Sequence, residues 1–222
     1  MLVSGVPLPA KVREYAATSM NLSTKDEIFS AMVVYGFLNY ENGLVSIPNK
    51  ELMEKFNDAL MKEPSLGYVH RLSAQSERML KATKAGDTIA MAEILEYAHN
   101  MEIPLLSYNH EVELTTIINL VYLAARDSYR VMREDKGGIG YVDFIFYPAV
   151  NMDDDCILLE LNFIGTAEQA VQHIKEKKYA LAFAPKVGEP LLYTGRKLAV
   201  GIGYDTKSKK LECRVEILED LL

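Results

Sequence analysis

The chain is short of cysteine, of positive charge and of long apolar runs, and each shortage closes a class of function. Its two cysteines, Cys156 and Cys213, both fall in apolar, strand-like runs. Two thiols make neither a zinc site nor a disulfide framework, and in such runs free cysteine packs as a small hydrophobe. Acidic residues outnumber basic ones, 31 to 24, for a formal net charge of −7. That balance argues against a protein that coats nucleic acid, which needs broad basic surface, but leaves room for contact in one local groove. No apolar run approaches the roughly 18 residues of a membrane span. No basic segment followed by an apolar stretch opens the chain, so no secretory signal is expected and the expected compartment is the cytoplasm.

Several chemical motifs are missing as well. There is no Gly-x-Ser-x-Gly elbow, no cysteine–histidine pair and no zinc motif. The turn from Lys136 to Gly140 is glycine-rich but lacks the strand–turn–helix setting of a dinucleotide loop and the Gly-Lys-Ser/Thr of a phosphate loop. It reads as a hairpin connection. His70, His99, His110 and His173 show no mutual ligand spacing and read as surface or packed residues. The run Asp153–Asp155 lacks the glycine and distal glutamate of an EF-hand and reads as a solvated turn.

What is present is ordinary globular material. The 222 residues are 49% hydrophobic and 25% charged, enough for a real core in one large domain or a domain with an appended piece. The first 22 residues show no clear cap or core strand, as expected of a piece of a longer protein. Thr24-Lys-Asp-Glu27 has capping-box spacing and opens a helix to about Tyr35. Asn42-Gly43 between two apolar runs marks a hairpin. A helix followed by a hairpin resembles part of a winged-helix unit, but Lys25 is the only basic residue from Thr24 to Glu41, so the pattern reads as structural. Asn49 caps a helix to about Lys62, and two more helices are expected near 72–84 and 87–99. Arg71, Arg78, Lys81 and Lys84, at near-helical spacing, form either a solvated face or a phosphate-contacting edge. After Pro104 comes a long helix at about 109–127. Strands follow at about 129–134, 140–147 and 156–163, then a helix at 166–179 and strands at 196–204 and 211–218.

Two of those apolar strands each carry one carboxylate, Asp143 and Glu160. A buried strand has no packing use for an acid. Alternation puts Asp143 on a face with Ile145, away from Phe144 and Phe146, and puts Glu160 on a face with Asn162. A short turn joins the strands, so antiparallel pairing would bring the acids together. Two carboxylates held in a cleft repel unless a proton or a cation intervenes. Mg²⁺ is the natural cation, and a site of this kind activates water and stabilises charge on a phosphodiester. A salt bridge to Arg130 or Arg133 is the plain alternative.

The order helix–three strands–helix–strand, with Asp on the second strand and Glu on the third, resembles the PD-(D/E)XK nuclease superfamily. Gly140-Tyr-Val-Asp-Phe-Ile-Phe-Tyr-Pro148, Ile157-Leu-Leu-Glu-Leu-Asn162 and the run from Ala167 to Tyr179 resemble the nuclease-like domain at the C-terminus of bacterial AAA-ATPase-like proteins. The run from Glu113 to Val131 looks like the stretch that carries that domain's first core helix, and Ile47–Glu51 resembles the junction after its ATPase. The resemblance implies an α/β fold with a restriction-endonuclease-like core at 106–222, a helical region at 49–105 and a small winged-helix-like piece at 1–48. It implies a Mg²⁺- or Mn²⁺-dependent deoxyribonuclease, with DNA as substrate and an AAA-type ATPase as partner. Asp143 and Glu160 would be the metal carboxylates, with Glu113, or Glu111 beside it, as the acid of the first helix. Glu113 near a helix N-terminus is equally well accounted for by the dipole. Gln172 matches a position facing the site. The departure is Asn162, which stands where the family has a lysine. Lys175, three residues from Gln172 on one helix face, is the candidate for a migrated lysine. Without that charge the domain would be degenerate, a binding or regulatory module rather than an enzyme.

Overall fold

The structure, a computed structural model, describes residues 2, 5, 7–12, 22, 24–102, 111–136, 140–185, 192–205 and 210–219. The chain divides into two compact units, Met1–Arg71 and Leu72–Leu222.

The first unit holds β1 (Leu8–Pro9), α1 (Lys25–Val34), β2 (Asn39–Glu41), β3 (Leu44–Ser46) and α2 (Lys50–Lys62); α3 (Tyr68–Ser73) crosses its boundary. The expected capping box is formed: Glu27 N–H donates to Thr24 Oγ1, and Thr24 N–H donates to Glu27 Oε2. The hairpin turn uses Asn42 and Gly43, both at positive φ, as a tight two-residue turn requires. Asn49 caps α2 through Leu52 N–H. One strand was not expected. Leu8–Pro9 pairs antiparallel with β3, placing Leu8 opposite the fully buried Val45. Two residues ending in proline carry no periodicity to read, and proline is tolerated there because the strand lies at an edge.

The second unit is mixed α/β. It contains α4 (Ser76–Ala85), α5 (Thr88–Glu102), α6 (Glu111–Val121), β4 (Tyr129–Lys136), β5 (Tyr141–Pro148), β6 (Cys156–Asn162), α7 (Ala167–Glu176), β7 (Lys197–Asp205) and β8 (Lys210–Leu218). The long helix expected to reach residue 127 ends as α-helix at Val121 and tightens into a 3-10 turn, Leu123–Asp127. At the break Tyr122 is buried, packs on Phe146 and shares a 2.7 Å hydrogen bond with the Thr83 hydroxyl. The five strands lie in chain order. All neighbours are antiparallel except β6 and β7, which are parallel and joined through α7.

The sheet's two faces are packed differently. On one side Phe146 meets Tyr122 and Tyr129, with Phe144 packed beside it. Ile145, Tyr147 and Leu158 form the other, under Val171 and Ile174 of α7 and Tyr179 and Phe183 beyond it. The turn at Asp153–Asp155 is not simply solvated. Arg196 forks onto Asp155 at 2.7 Å, and Lys84 lies 3.6 Å from Asp154.

Thr166 and Gln169 form a second capping box that starts α7. Its first turn lies close on β7. A Cβ at Gly201 would meet the Ala167 carbonyl oxygen at 2.1 Å, and one at Gly203 would meet the Ala167 nitrogen at 2.6 Å. Gly201→Ala therefore forces α7 off the sheet. Overpacking of this kind costs about 1–3 kcal/mol, or a melting temperature lower by roughly 2–10 °C. Thermal unfolding by circular dichroism checks it; unchanged melting would contradict so close an approach.

Candidate functional site

The ladder between β5 and β6 runs from Phe146–Ile157 to Phe144–Leu159. One step further, Asp143 stands opposite Glu160. There each acid takes a backbone N–H of the other strand. Leu161 N–H donates to Asp143 Oδ2 at 2.7 Å, and Asp143 N–H donates to Glu160 Oε2 at 3.4 Å. The carboxylates thus stand in for ladder partners at the fork where the strands part. The two acids do meet, as strand alternation and antiparallel pairing imply.

The Glu160 side chain is 12% exposed. Burial raises its carboxyl, the Asp143 charge raises it further, and His173 only partly offsets this, so the group is pushed up to about 7. His173 Nδ1 lies 2.7 Å from Glu160 Oε1; with Glu160 ionised, the ring N–H donates. The imidazole meets the Tyr179 ring edge-on at 5.7 Å. Tyr179 is buried, and its hydroxyl donates to the Tyr141 carbonyl at 2.7 Å. Burial, then the Glu160 and Asp143 charges, hold that phenol above its usual range.

The remaining candidates are placed differently. Asn162 is built into the turn before α7: its Nδ2 lies 3.4 Å from both Thr166 O and Gln169 Oε1, and its Oδ1 accepts from Ile164 N–H. Gln172 is exposed and donates to Glu176. Lys175 pairs with Glu216 on β8, which also holds Arg214. Helix geometry explains the split. Ala167, Ala170, Val171 and Ile174 form the buried stripe of α7. At about 100° per residue, His173 and Lys175 lie on opposite flanks of that stripe, while Gln172 points farthest from the sheet. One flank reaches β6 and the other β8, so Lys175 does not reach the acid pair. Arg130 and Arg133 stack over Tyr147 and Phe144, and Arg133, paired in register with Phe144, lies on the face away from the acids. Glu113 is the third residue of α6, and the Tyr122 that follows this helix packs on the Phe146 face; the Glu113 side chain lies outside the described residues.

His173 is therefore the site residue that sequence reasoning missed. Ligand spacing among histidines was the wrong signal, because its partner is a carboxylate on a strand. Its position three residues after the buried Ala170 marks it as a flank residue and could have found it. Among the described residues, no group of three or more His, Cys, Asp or Glu side chains is arranged to hold a metal ion. The donor chemistry of the pair nonetheless fits a hard divalent cation: two carboxylates, one destabilised by the other's charge. Both cysteines are buried, with thiols pushed up to about 12 mainly by burial, so neither is a nucleophile.

A comparison with models of protein families gives no match, and neither does one with curated proteins. The described helices include none long and apolar enough to cross a membrane.

The acid pair has a consequence for stability. The folded-state pKa of Glu160 is raised from 4.5 to about 7, so the folded protein holds a proton there that the unfolded chain has lost. This group's contribution to stability is full below pH 4.5 and is lost as pH rises toward 7. Glu160→Gln, which cannot ionise, removes this loss. In chelator-treated buffer it should match wild type near pH 4.5 and exceed it above pH 7, by up to about 3 kcal/mol. Urea unfolding across that range checks the sign; parallel curves for the two proteins would refute it.

Proposed function

We propose that the chain is a restriction-endonuclease-like domain in which Asp143 and Glu160 hold a divalent cation for phosphodiester hydrolysis on DNA. The observation that carries this reading is the meeting of the two acids at the fork of β5 and β6. Both project from the sheet face under α7, Glu160 is poorly hydrated, and the Asp143 charge raises its carboxyl further. Mg²⁺ or Mn²⁺ bound there supplies Lewis acidity toward a phosphodiester oxygen and lowers the pKa of bound water. The protein's part is positional. The fork fixes the two carboxylates on rigid strands, and His173 holds Glu160 in one rotamer from the helix side. The family's lysine has no counterpart at 162, where Asn162 is short, neutral and engaged in the turn. The reaction is accordingly slow. The small N-terminal unit, with α1 and the β2–β3 hairpin, is read as a winged-helix-like piece, and the protein as cytoplasmic.

Asn162 and Lys175 favour a second reading. With Asn162 tied into the turn and Lys175 paired with Glu216, the domain serves as a binding or regulatory module beside an AAA-type ATPase. The two readings part in one assay. Plasmid and linear single-stranded DNA are incubated with the protein and Mg²⁺ or Mn²⁺. Weak cleavage is expected from wild type and none from Asp143→Ala. Asn162→Lys, which restores one positive group, should raise the rate on the order of 10²-fold. No cleavage by either wild type or Asn162→Lys, together with no Mg²⁺ binding by calorimetry, would sink the nuclease reading and leave the module.

A further inference from the structure

The sheet has two edges of different character. On β4, Glu134 has a positive φ of 47°, and the edge strand is locally kinked there. A kinked edge is a poor template for another strand. β8 is regular: every residue from Lys210 to Leu218 keeps its register with β7, and among the described residues it is hydrogen-bonded on that side only. Such an edge offers a row of unpaired backbone groups.

The side chains of β8 alternate in a second way. Leu211 and Cys213 are buried on one face, while Lys210, Glu212 and Arg214 are exposed on the other, followed by the partly exposed Glu216. That face reads plus, minus, plus, minus. Single-sign charge on an edge would repel a second strand in every register. Alternating charge permits one register and penalises its neighbours.

We infer that β8 is a homodimer interface, pairing antiparallel with β8 of a second copy about a two-fold axis at Cys213. In antiparallel self-pairing, residues equidistant from the axis face each other on the same side of the sheet. With the axis at Cys213, Arg214 meets Glu212 of the second copy and Glu216 meets Lys210 of the second copy. Symmetry makes each contact twice, so all four charged positions face an opposite charge. With the axis at Arg214, Arg214 meets its own copy and Glu212 meets Glu216. With the axis at Glu212, Glu212 meets its own copy and Lys210 meets Arg214. Axes at Leu211 or Val215 keep one kind of favourable pair each and lose part of the paired length. Charge thus selects one register. The existing contacts of Arg214 with Glu168 and Glu216 hold its guanidinium on the charged face. The dimer continues the five strands of each copy into one sheet of ten, with both acid pairs left on strands remote from the junction.

Sedimentation equilibrium of the full chain over a range of concentrations, at low and high salt, tests this. Wild type is expected to dimerise, with affinity falling as salt rises. Arg214→Glu sets two glutamates against each other, and Glu212→Arg sets two arginines against each other. Each should weaken association by tenfold or more. The double exchange Glu212→Arg, Arg214→Glu swaps the pair and should restore it, although it does not restore the contact of Arg214 with Glu168. Lys210→Glu, at an exposed position, should weaken association in the same way should either single variant fail to fold. A wild type that stays monomeric at hundreds of micromolar, or a double exchange no better than the singles, overturns the proposal.

Discussion

α7 lies directly on β7, and that close seat decides what each of its side chains can reach. The seat exists because β7 presents Gly201 and Gly203 under the first helical turn, where any Cβ would strike the Ala167 backbone. A parallel pair of strands needs a crossover, and here the crossover helix is held at backbone distance from the sheet. With the buried stripe fixed on β6 and β7, the two flanks of the helix are fixed as well. His173 falls to Glu160 and Lys175 to Glu216. A helix standing farther off would leave both side chains free to choose. The two glycines therefore set the electrostatics of both the acid pair and the outer strand.

The acid pair is held by opposing effects of different size. Burial and the neighbouring Asp143 charge both disfavour ionised Glu160, and the His173 contact recovers only part of that loss. Backbone N–H donors from the opposite strand anchor each carboxylate where the ladder ends. Two apolar residues in these places would pack without such conflict, since a buried ionised group is retained at a cost in stability. Protein groups already engage Glu160 Oε1, Glu160 Oε2 and Asp143 Oδ2.

Much of the second unit was legible in the sequence. Strand alternation placed Phe144 and Phe146 opposite Asp143, and the short turn made β5 and β6 antiparallel neighbours. Both follow from local rules that tertiary context seldom overrides. The mixed sheet follows from a helix between two strands of one run. What was not legible depended on distances between elements. Nothing in the order of residues says that Lys175 finds Glu216, 41 positions away, before it finds an acid on β6. The pairing of Leu8–Pro9 with β3 was hidden for a different reason, since two residues show no period at all. His173 carries no signal in the spacing of the histidines, because its partner is the Glu160 carboxylate on β6.

Asn162 joins these threads, because its position is asked to do two things. At the end of β6 it sits one alternation step from Glu160, where a cationic side chain would lie beside the acid pair. It also begins the turn into α7, where its amide spans Thr166 and Gln169 and its oxygen takes Ile164 N–H. The turn is tight: a Cβ at Gly165 would lie 2.5 Å from Asn162 Nδ2. A lysine has no acceptor for Ile164 N–H and no short amide to close the turn. Charge at 162 is therefore gained only by loosening the start of α7, the same turn that Gly201 and Gly203 hold against the sheet. The chain has settled this competition in favour of the turn, and position 162 offers the acid pair no positive charge.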